Sequence, residues 1–201
     1  MICLVVVTNT PRLDLLYINL QQFLFEGMTL FFQRIGDRLQ ETIGLKLIDV
    51  DYFCFSNEIE PSEVEQNPFY IGGEVILKFE DEKAVVTWDE NAGWQNHFSV
   101  YYGKQSLFLP TSSLVLWNVA IFQPWKDCIN KQLLGAEVYG DNETPHIIKL
   151  NFDSTSIFLG NGRETKFGDG DDLIIATSLT GDNQGGWEKL WSSTYGLESD
   201  R

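Results

Sequence analysis

The chain has 201 residues, 43% of them hydrophobic, and carries a formal net charge of −15. That much apolar sequence builds a packed core without a disulfide or a metal. The charge excludes duplex nucleic acid and anionic membrane surfaces as partners, because phosphate groups are bound by clustered cations, and it favours a basic protein.

The cysteines and the N-terminal sequence indicate a cytoplasmic protein. Cys3, Cys54 and Cys128 have apolar neighbours and form no Cys-x-x-Cys pair, which is typical of buried free thiols in a reducing compartment. Residues 2–7 are apolar, but they are too few for a signal peptide and follow no basic residue. Polar residues interrupt the apolar stretch 13–32, which argues against a membrane span.

The first half of the chain begins with a buried strand, predicted for residues 2–8 from their β-branched apolar run. An amphipathic helix follows, because apolar residues recur at four-residue spacing up to Gly44, a residue type that commonly ends helices. The apolar positions of this helix are Phe31, Ile35, Leu39 and Ile43.

Residues 45–55 predict a long strand whose side chains alternate between two faces. The apolar face consists of Ile48, Val50, Tyr52 and Cys54, and the other face consists of Leu47, Asp49, Asp51 and Phe53. Residues 74–88 predict a hairpin that turns at the charged residues 80–83.

The second half of the chain returns to the same order of elements. Residues 124–134 predict a short helix that begins at a proline and ends before Gly135. Strands are predicted over residues 148–152, 157–159 and 171–175.

Residues 31–101 and 122–174 therefore look like two copies of one plan. The identities that carry this comparison are Gly44/Gly135, Leu77/Leu150 and Phe79/Phe152. We predict an α+β fold, rich in antiparallel strands, in which two pseudo-repeated helix-plus-hairpin units share a core. Residues 1–110 would form the N-terminal unit and residues 111–201 the C-terminal unit, and a single domain over 1–201 is the alternative.

An acidic loop over residues 56–68 distinguishes the first copy from the second. The candidate partner-binding residues are Glu58, Glu60, Glu63 and Glu65. A loop added to one copy of a duplicated frame is a place for function, although a charge run is usually only a solvated surface.

A second candidate site lies between two predicted strands. Asp89, Glu90, Trp94 and His97 place two carboxylates, an indole and an imidazole close together in sequence. A carboxylate–imidazole pair is suited to general acid–base catalysis. The structural alternative is a core tryptophan and a hydrogen-bonded histidine.

The remaining motifs predict no metal and no cofactor. Residues 168–172 alternate Gly and Asp, which suits Ca²⁺, but the ligand pattern of an EF-hand is absent. Residues 180–186 are glycine-rich without the lysine and the glycine spacing of a phosphate loop. The sequence has no zinc-ligand spacing and no Ser-His-Asp signature.

Three functions remain open. The favoured one is a non-enzymatic protein-binding or inhibitor module against a basic protein, analogous in size, charge and compartment to toxin-neutralising immunity proteins. The second is a small hydrolase or isomerase that uses the region of residues 89–97. The third is a self-assembling structural protein that uses Trp187 and Trp191, because their four-residue spacing would place both indoles on one face of a short helix.

Overall fold

The computed structural model describes residues 33–55, 64–67, 69–88, 98–102, 114–141, 144–161, 172–178 and 187–196. All of them belong to one compact unit of the chain, residues 32–201. The predicted strand over 2–8 and the glycine-rich segment 180–186 lie outside the described residues. So does the Gly-Asp string over 168–172, apart from Asp172.

Within these ranges one α-helix, α1 (residues 33–40), precedes a series of strands. The strands are β1 (Leu47–Phe55), β2 (Phe69–Ile71), β3 (Glu74–Phe79), β4 (Lys83–Trp88), β5 (Phe98–Tyr102), β6 (Leu114–Asn118), β7 (Gly135–Asp141), β8 (Thr144–Asn151), β9 (Ser156–Asn161), β10 (Leu173–Ala176) and β11 (Glu188–Thr194). A short 3-10 helix, Trp125–Asp127, lies between β6 and β7.

The strands form two antiparallel sheets. The first sheet has five strands in the order β5-β4-β3-β1-β6, and the second has six in the order β11-β7-β8-β9-β10-β2. All of the pairings are antiparallel. The predicted β-rich, antiparallel α+β class is therefore confirmed, and so is the hairpin predicted over residues 74–88, which β3 and β4 form.

Each sheet contains a strand from the other half of the chain. β6 follows residue 110 but completes the first sheet beside β1, whereas β2 precedes residue 110 but forms the edge of the second sheet beside β10. The division of the chain into units 1–110 and 111–201 stays a prediction.

The helix α1 buries the predicted apolar stripe. Ile35 and Leu39 are fully or almost fully buried, and the intervening charged residue Asp37 is exposed. Gly44 has a φ of +91°, a left-handed conformation that favours glycine, and it follows the turn that closes the helix. The helix lies close to β11, because a Cβ atom on Gly36 would meet the indole of Trp191 at 2.6 Å.

Val50, Tyr52 and Cys54 of the predicted apolar face are fully buried, but Asp51 and Phe53 of the opposite face are almost as buried, so β1 is covered on both faces over residues 50–54. The prediction is wrong at the start of the strand, where Leu47 is buried and Ile48 is 41% exposed. The pairing of β1 with β3 shifts register between Leu47 and Asp49. Such an irregularity inserts an extra residue, so the alternation of faces reverses across it.

The two sheets are joined through the buried side chain of Tyr52. The indole Nε1 of Trp125 donates a hydrogen bond to the Tyr52 hydroxyl at 2.6 Å. The Tyr52 ring also stacks on Phe69 of β2, with ring centroids 5.8 Å apart. Burial raises the pKa of Tyr52, so its hydroxyl stays protonated at neutral pH.

Two helix predictions are wrong. Residues 124–134 form only the 3-10 turn Trp125–Asp127, after which backbone hydrogen bonds connect residues 130–133 to residues 44–47. Residues 187–191 lie at the start of β11, which pairs with β7. Isolated helical turns of this length are marginal in water, so pairing with a neighbouring strand decides the conformation.

Replacing Tyr52 with phenylalanine tests the joint between the sheets. The substitution leaves the buried Trp125 N–H without its acceptor, so we expect a loss of about 1–3 kcal/mol in the free energy of unfolding. Urea denaturation followed by circular dichroism measures this loss. The control is Tyr195→Phe, since Tyr195 is 56% exposed and its variant should stay within about 0.5 kcal/mol of wild type. Equal stability of the two variants would contradict the role of Tyr52.

Candidate functional site

Most of the predicted site residues lie outside the described residues. These are Glu58, Glu60, Glu63, Asp89, Glu90, Trp94 and His97. Glu65 is described: its exposed carboxylate lies 3.9 Å from the ammonium of Lys126, a weak surface ion pair.

A groove of about 930 Å³ opens to solvent on the second sheet, beside β7, β8 and β9. The turn between β8 and β9, the residues that follow β10 and the residue that precedes β11 also contribute to its walls. Among the described residues, its lining includes Ser154, Thr155, Ser156, Thr177 and Ser178, the aromatic residues Tyr139, Phe152, Phe158 and Trp187, and the charged residues Lys149 and Asp153.

The carboxylate of Glu137 lies beside this groove at the centre of a polar cluster. One carboxylate oxygen accepts hydrogen bonds from Lys149 Nζ and Asn151 Nδ2, each at 3.1 Å. The other accepts from Lys189 Nζ at 2.6 Å and from the hydroxyl of Tyr139. Strand register explains the convergence. Glu137 of β7 pairs directly with Lys149 of β8, and Tyr139 of β7 pairs with Lys189 of β11.

The cluster fixes the protonation states of its members. Burial raises the pKa of Glu137, but the hydrogen bonds that it accepts, from Lys189 above all, outweigh burial and lower the pKa to about 2. Burial and the hydrogen bond to Glu137 raise the pKa of Tyr139 to about 12. General acid–base catalysis works best with a pKa near the working pH. These two groups are therefore suited to holding a fixed shape and not to transferring protons.

An aromatic pair stands at one side of the groove. The ring of Trp187 stacks on His146 at the start of β8, with centroids 5.6 Å apart and an angle of 27° between the planes. His146 is almost completely buried, whereas Trp187 is half-buried. The indole is thus held against a fixed surface while part of it remains accessible.

The first sheet carries a smaller polar cluster. The ammonium of Lys78 lies 2.8 Å from Asp49 and 2.5 Å from Asp51, and Asn118 donates a hydrogen bond to Asp51 at 2.9 Å. Burial raises the pKa of Asp49, but the hydrogen bond from Lys78 and further contacts lower it overall. This cluster supports the sheet, and its residues do not belong to the described lining of the groove on the second sheet.

An exposed apolar patch lies at the end of β1 and on β6, the edge strand of the first sheet among the described strands. Phe55 is 41% exposed and Leu116 is 58% exposed. Leu116 pairs with Phe53, which places it diagonally beside Phe55 on the same face. The acidic segment that contains Glu58 begins directly after Phe55.

Ion pairs occupy most of the lysines that the structure describes. Lys46, Lys78, Lys126, Lys149 and Lys189 each lie within ion-pair distance of a carboxylate. Several carboxylates project into solvent at the same time, including those of the β3–β4 turn at Glu80 and Asp81. The described surface therefore presents exposed carboxylates alongside lysines that are mostly paired.

The described cysteines are unsuited to nucleophilic attack. Cys54 and Cys128 are buried, as predicted, and form no disulfide, and burial raises the pKa of Cys128 to about 12, which leaves no thiolate of that residue at neutral pH. No group of three His, Cys, Asp or Glu side chains within these ranges is placed to hold a metal ion.

No family model, curated protein or solved structure matches this chain. In the part of the chain that the structure describes, no helix has the length and apolar character that crossing a membrane requires.

Sequence reasoning missed the Glu137 cluster. Its signal was the alternation of polar with apolar residues along β7 and β8, where Glu137, Tyr139, Lys149 and Asn151 share one face. The strand register that brings them together is not visible in either segment alone. Lys189 was also hidden, because its segment was assigned to a helix.

The Glu137 cluster predicts an acid-sensitive contribution to stability. Because the folded-state pKa of about 2 lies below the ordinary value of 4.5, this contribution is complete above about pH 4.5 and is lost as the pH falls toward 2. We expect Glu137→Gln to cost about 1–3 kcal/mol at pH 7, with the difference from wild type shrinking below pH 4.5.

Urea unfolding of wild type and variant between pH 7 and about pH 2.5 measures this effect. Glu188→Gln is the matched control, because Glu188 is exposed on the neighbouring strand and its loss removes the same charge. A Glu137→Gln deficit that stays constant over the whole pH range would contradict the assignment.

Proposed function

We propose that this chain is a non-enzymatic acidic binding protein of the cytoplasm and that its partner is a basic protein. The observation that carries the proposal is the exposed apolar patch of Phe55 and Leu116, which lies directly before the acidic segment in an anionic surface. Protein interfaces combine an apolar centre with a polar rim, and solvent-exposed apolar side chains that cluster mark such sites.

The charge distribution supports a basic partner. The net charge of −15 produces a field that attracts cations over distances up to about 8 Å at physiological salt. Described lysines such as Lys126 lie within ion-pair distance of neighbouring carboxylates. The four candidate glutamates follow Phe55 closely in sequence and are the carboxylates that we propose to meet the basic partner.

The protonation states support binding over catalysis. Glu137 and Tyr139 have pKa values displaced far from neutrality, and the thiol of Cys128 is buried and protonated. The hydrolase or isomerase hypothesis rests on residues 89–97, outside the described part, and gains no support. The self-assembly hypothesis requires Trp187 and Trp191 to share one face of a helix. Trp187 directly precedes β11 and Trp191 lies within it, and the two indoles make different contacts, so the hypothesis loses its basis.

We also infer that the two sheets are copies of one unit. Both have the same connectivity, since β6-β1-β3-β4-β5 corresponds strand by strand to β11-β7-β8-β9-β10. The β3–β4 and β8–β9 hairpins have the same register, in which Leu77 corresponds to Leu150 and Phe79 to Phe152. When the β1–β3 pair is aligned with the β7–β8 pair, the residue of the first copy that corresponds to Gly135 is Asp49 and not Gly44.

In this arrangement β2 is an addition that belongs only to the first copy. It follows the acidic loop and extends the second sheet beside β10. Asn67, just before β2, is anchored to Thr177 by hydrogen bonds at 2.9 and 3.0 Å. The end of the acidic segment is thus attached to the second sheet while its beginning continues from β1 of the first.

The partner is to be captured from lysate of the native host at low and at moderate salt, identified by mass spectrometry and purified for calorimetric titration. We expect a basic protein whose affinity falls as salt rises, because screening weakens exposed charge pairs. Combined Gln substitution of Glu58, Glu60, Glu63 and Glu65 should weaken binding about fourfold or more, because four exposed pairs at about 0.2–1 kcal/mol each sum to about 0.8–4 kcal/mol.

The matched control neutralises the same number of carboxylates elsewhere. Substitution of Glu41, Glu80, Asp81 and Glu82 by their amides changes the net charge equally but leaves the loop intact. This control should weaken binding less than about threefold, since only distant charges are removed. Leu116→Ala should weaken binding without lowering stability, because its side chain is already exposed. Equal losses in the loop variant and the control, or an affinity that salt does not change, would overturn the proposal.

A further inference from the structure

The groove on the second sheet has a lining that suits one class of small ligand. Among the described residues, five serines and threonines line it, and three of them are consecutive across the β8–β9 turn and the start of β9. Ser154 and Thr177 each accept one hydrogen bond from a protein group and Ser156 donates one, so each of these hydroxyls keeps further hydrogen-bonding capacity. Each hydroxyl both donates and accepts a hydrogen bond and rotates to suit its partner. Such a lining matches a ligand that itself carries many hydroxyl groups.

Aromatic rings supply the second half of the match. Trp187 is half-buried, and its stacking on His146 holds its plane in place. The rings of Tyr139 and Phe158 lie in the same lining. The apolar C–H faces of sugar rings pack on aromatic rings, while the sugar hydroxyls reach the polar groups around them.

The charge of the lining favours a neutral ligand. Lys149 and Asp153 are the charged side chains of the described lining, and their opposite charges offset each other. Lys149 also lies 3.1 Å from the carboxylate of Glu137. An anionic ligand would compete with Glu137 for Lys149 inside a strongly acidic protein. The ammonium group nevertheless retains donors for a neutral hydroxyl, because it carries three.

We propose that this groove binds a neutral oligosaccharide. One sugar ring stacks on Trp187, and the serine and threonine hydroxyls together with Lys149 hold the ring hydroxyls. The cavity volume of about 930 Å³ lies within the range of small-molecule sites, and its open side lets a chain of sugars continue beyond it. The site is separate from the apolar patch of Phe55 and Leu116, so it goes beyond the proposed protein-binding function.

The test is calorimetric titration of the full chain with neutral hexasaccharides: cellohexaose, maltohexaose, mannohexaose and the hexamer of N-acetylglucosamine. We expect at least one of them to bind with a Kd between about 10 μM and 1 mM, which is typical of open, polar sites. Trp187→Ala should weaken that binding about tenfold or more, and Trp187→Phe should retain most of it because an aromatic face remains.

Trp117→Ala is the matched control, since Trp117 is also half-buried but belongs to β6 of the first sheet. Its affinity should equal that of wild type. Ser178→Ala gives a second groove variant that removes only one exposed hydroxyl, and it should weaken binding about two- to fivefold without changing the melting temperature.

Two results would overturn the proposal. One is the absence of heat and of shifts in the Trp187 indole NMR signal with all four hexasaccharides at about 5 mM, well above the expected Kd. The other is preferential binding of hexagalacturonate, lost on addition of salt, which would assign the groove to an anion. Neither result bears on the binding of a basic protein at the acidic loop, so the two proposals fail separately.

Discussion

The buried hydrogen bond between the Trp125 indole and the Tyr52 hydroxyl is the contact on which the described architecture depends. Tyr52 lies on the central part of the first sheet, and its ring stacks on Phe69 of the second. Trp125 lies in the connection that leads from β6 of the first sheet to β7 of the second. One side chain therefore contacts the first sheet, the second sheet and the chain segment between them.

The contact between Tyr52 and Trp125 leaves other parts of both sheets able to carry clusters of charged side chains. Each sheet carries a lysine-paired carboxylate, Asp51 on β1 of the first and Glu137 on β7 of the second. Ion pairs of this kind hold neighbouring strands in register, and the hydrogen bonds to Glu137 lower its pKa to about 2. Most of the described lysines are paired with carboxylates, while several described carboxylates remain exposed. These exposed carboxylates are one basis of the proposal that the chain is an acidic binding protein.

The sequence predicted elements where the local pattern was strong. The helix stripe of Ile35 and Leu39, the long strand β1 and the β3–β4 hairpin were all predicted, because periodicity and turn chemistry act within a few residues. The prediction failed where pairing with a distant strand decided the outcome. Trp187 and Trp191 have helical spacing, yet β7 pairs with their segment as a strand. A register shift next to Leu47 likewise reverses the faces that simple alternation assigns.

The candidate site was less predictable than the fold. The run of carboxylates that includes Glu65 predicts a partner-binding loop from sequence alone, whereas the Glu137 cluster and the groove depend on the alignment of β7, β8 and β11. No local motif encodes that alignment. The exposure of Phe55 and Leu116 was equally hidden, because an apolar strand residue is expected to be buried until its neighbours are known.

The central claim is that a basic protein binds at the apolar patch and the acidic loop. Hydrogen–deuterium exchange of the chain with and without the purified partner tests it most directly. The account predicts slower exchange in peptides that cover residues 56–67 and 114–118 when the partner is bound. Protection confined to residues 152–158 and 177–178, with no change around the acidic loop, would contradict it.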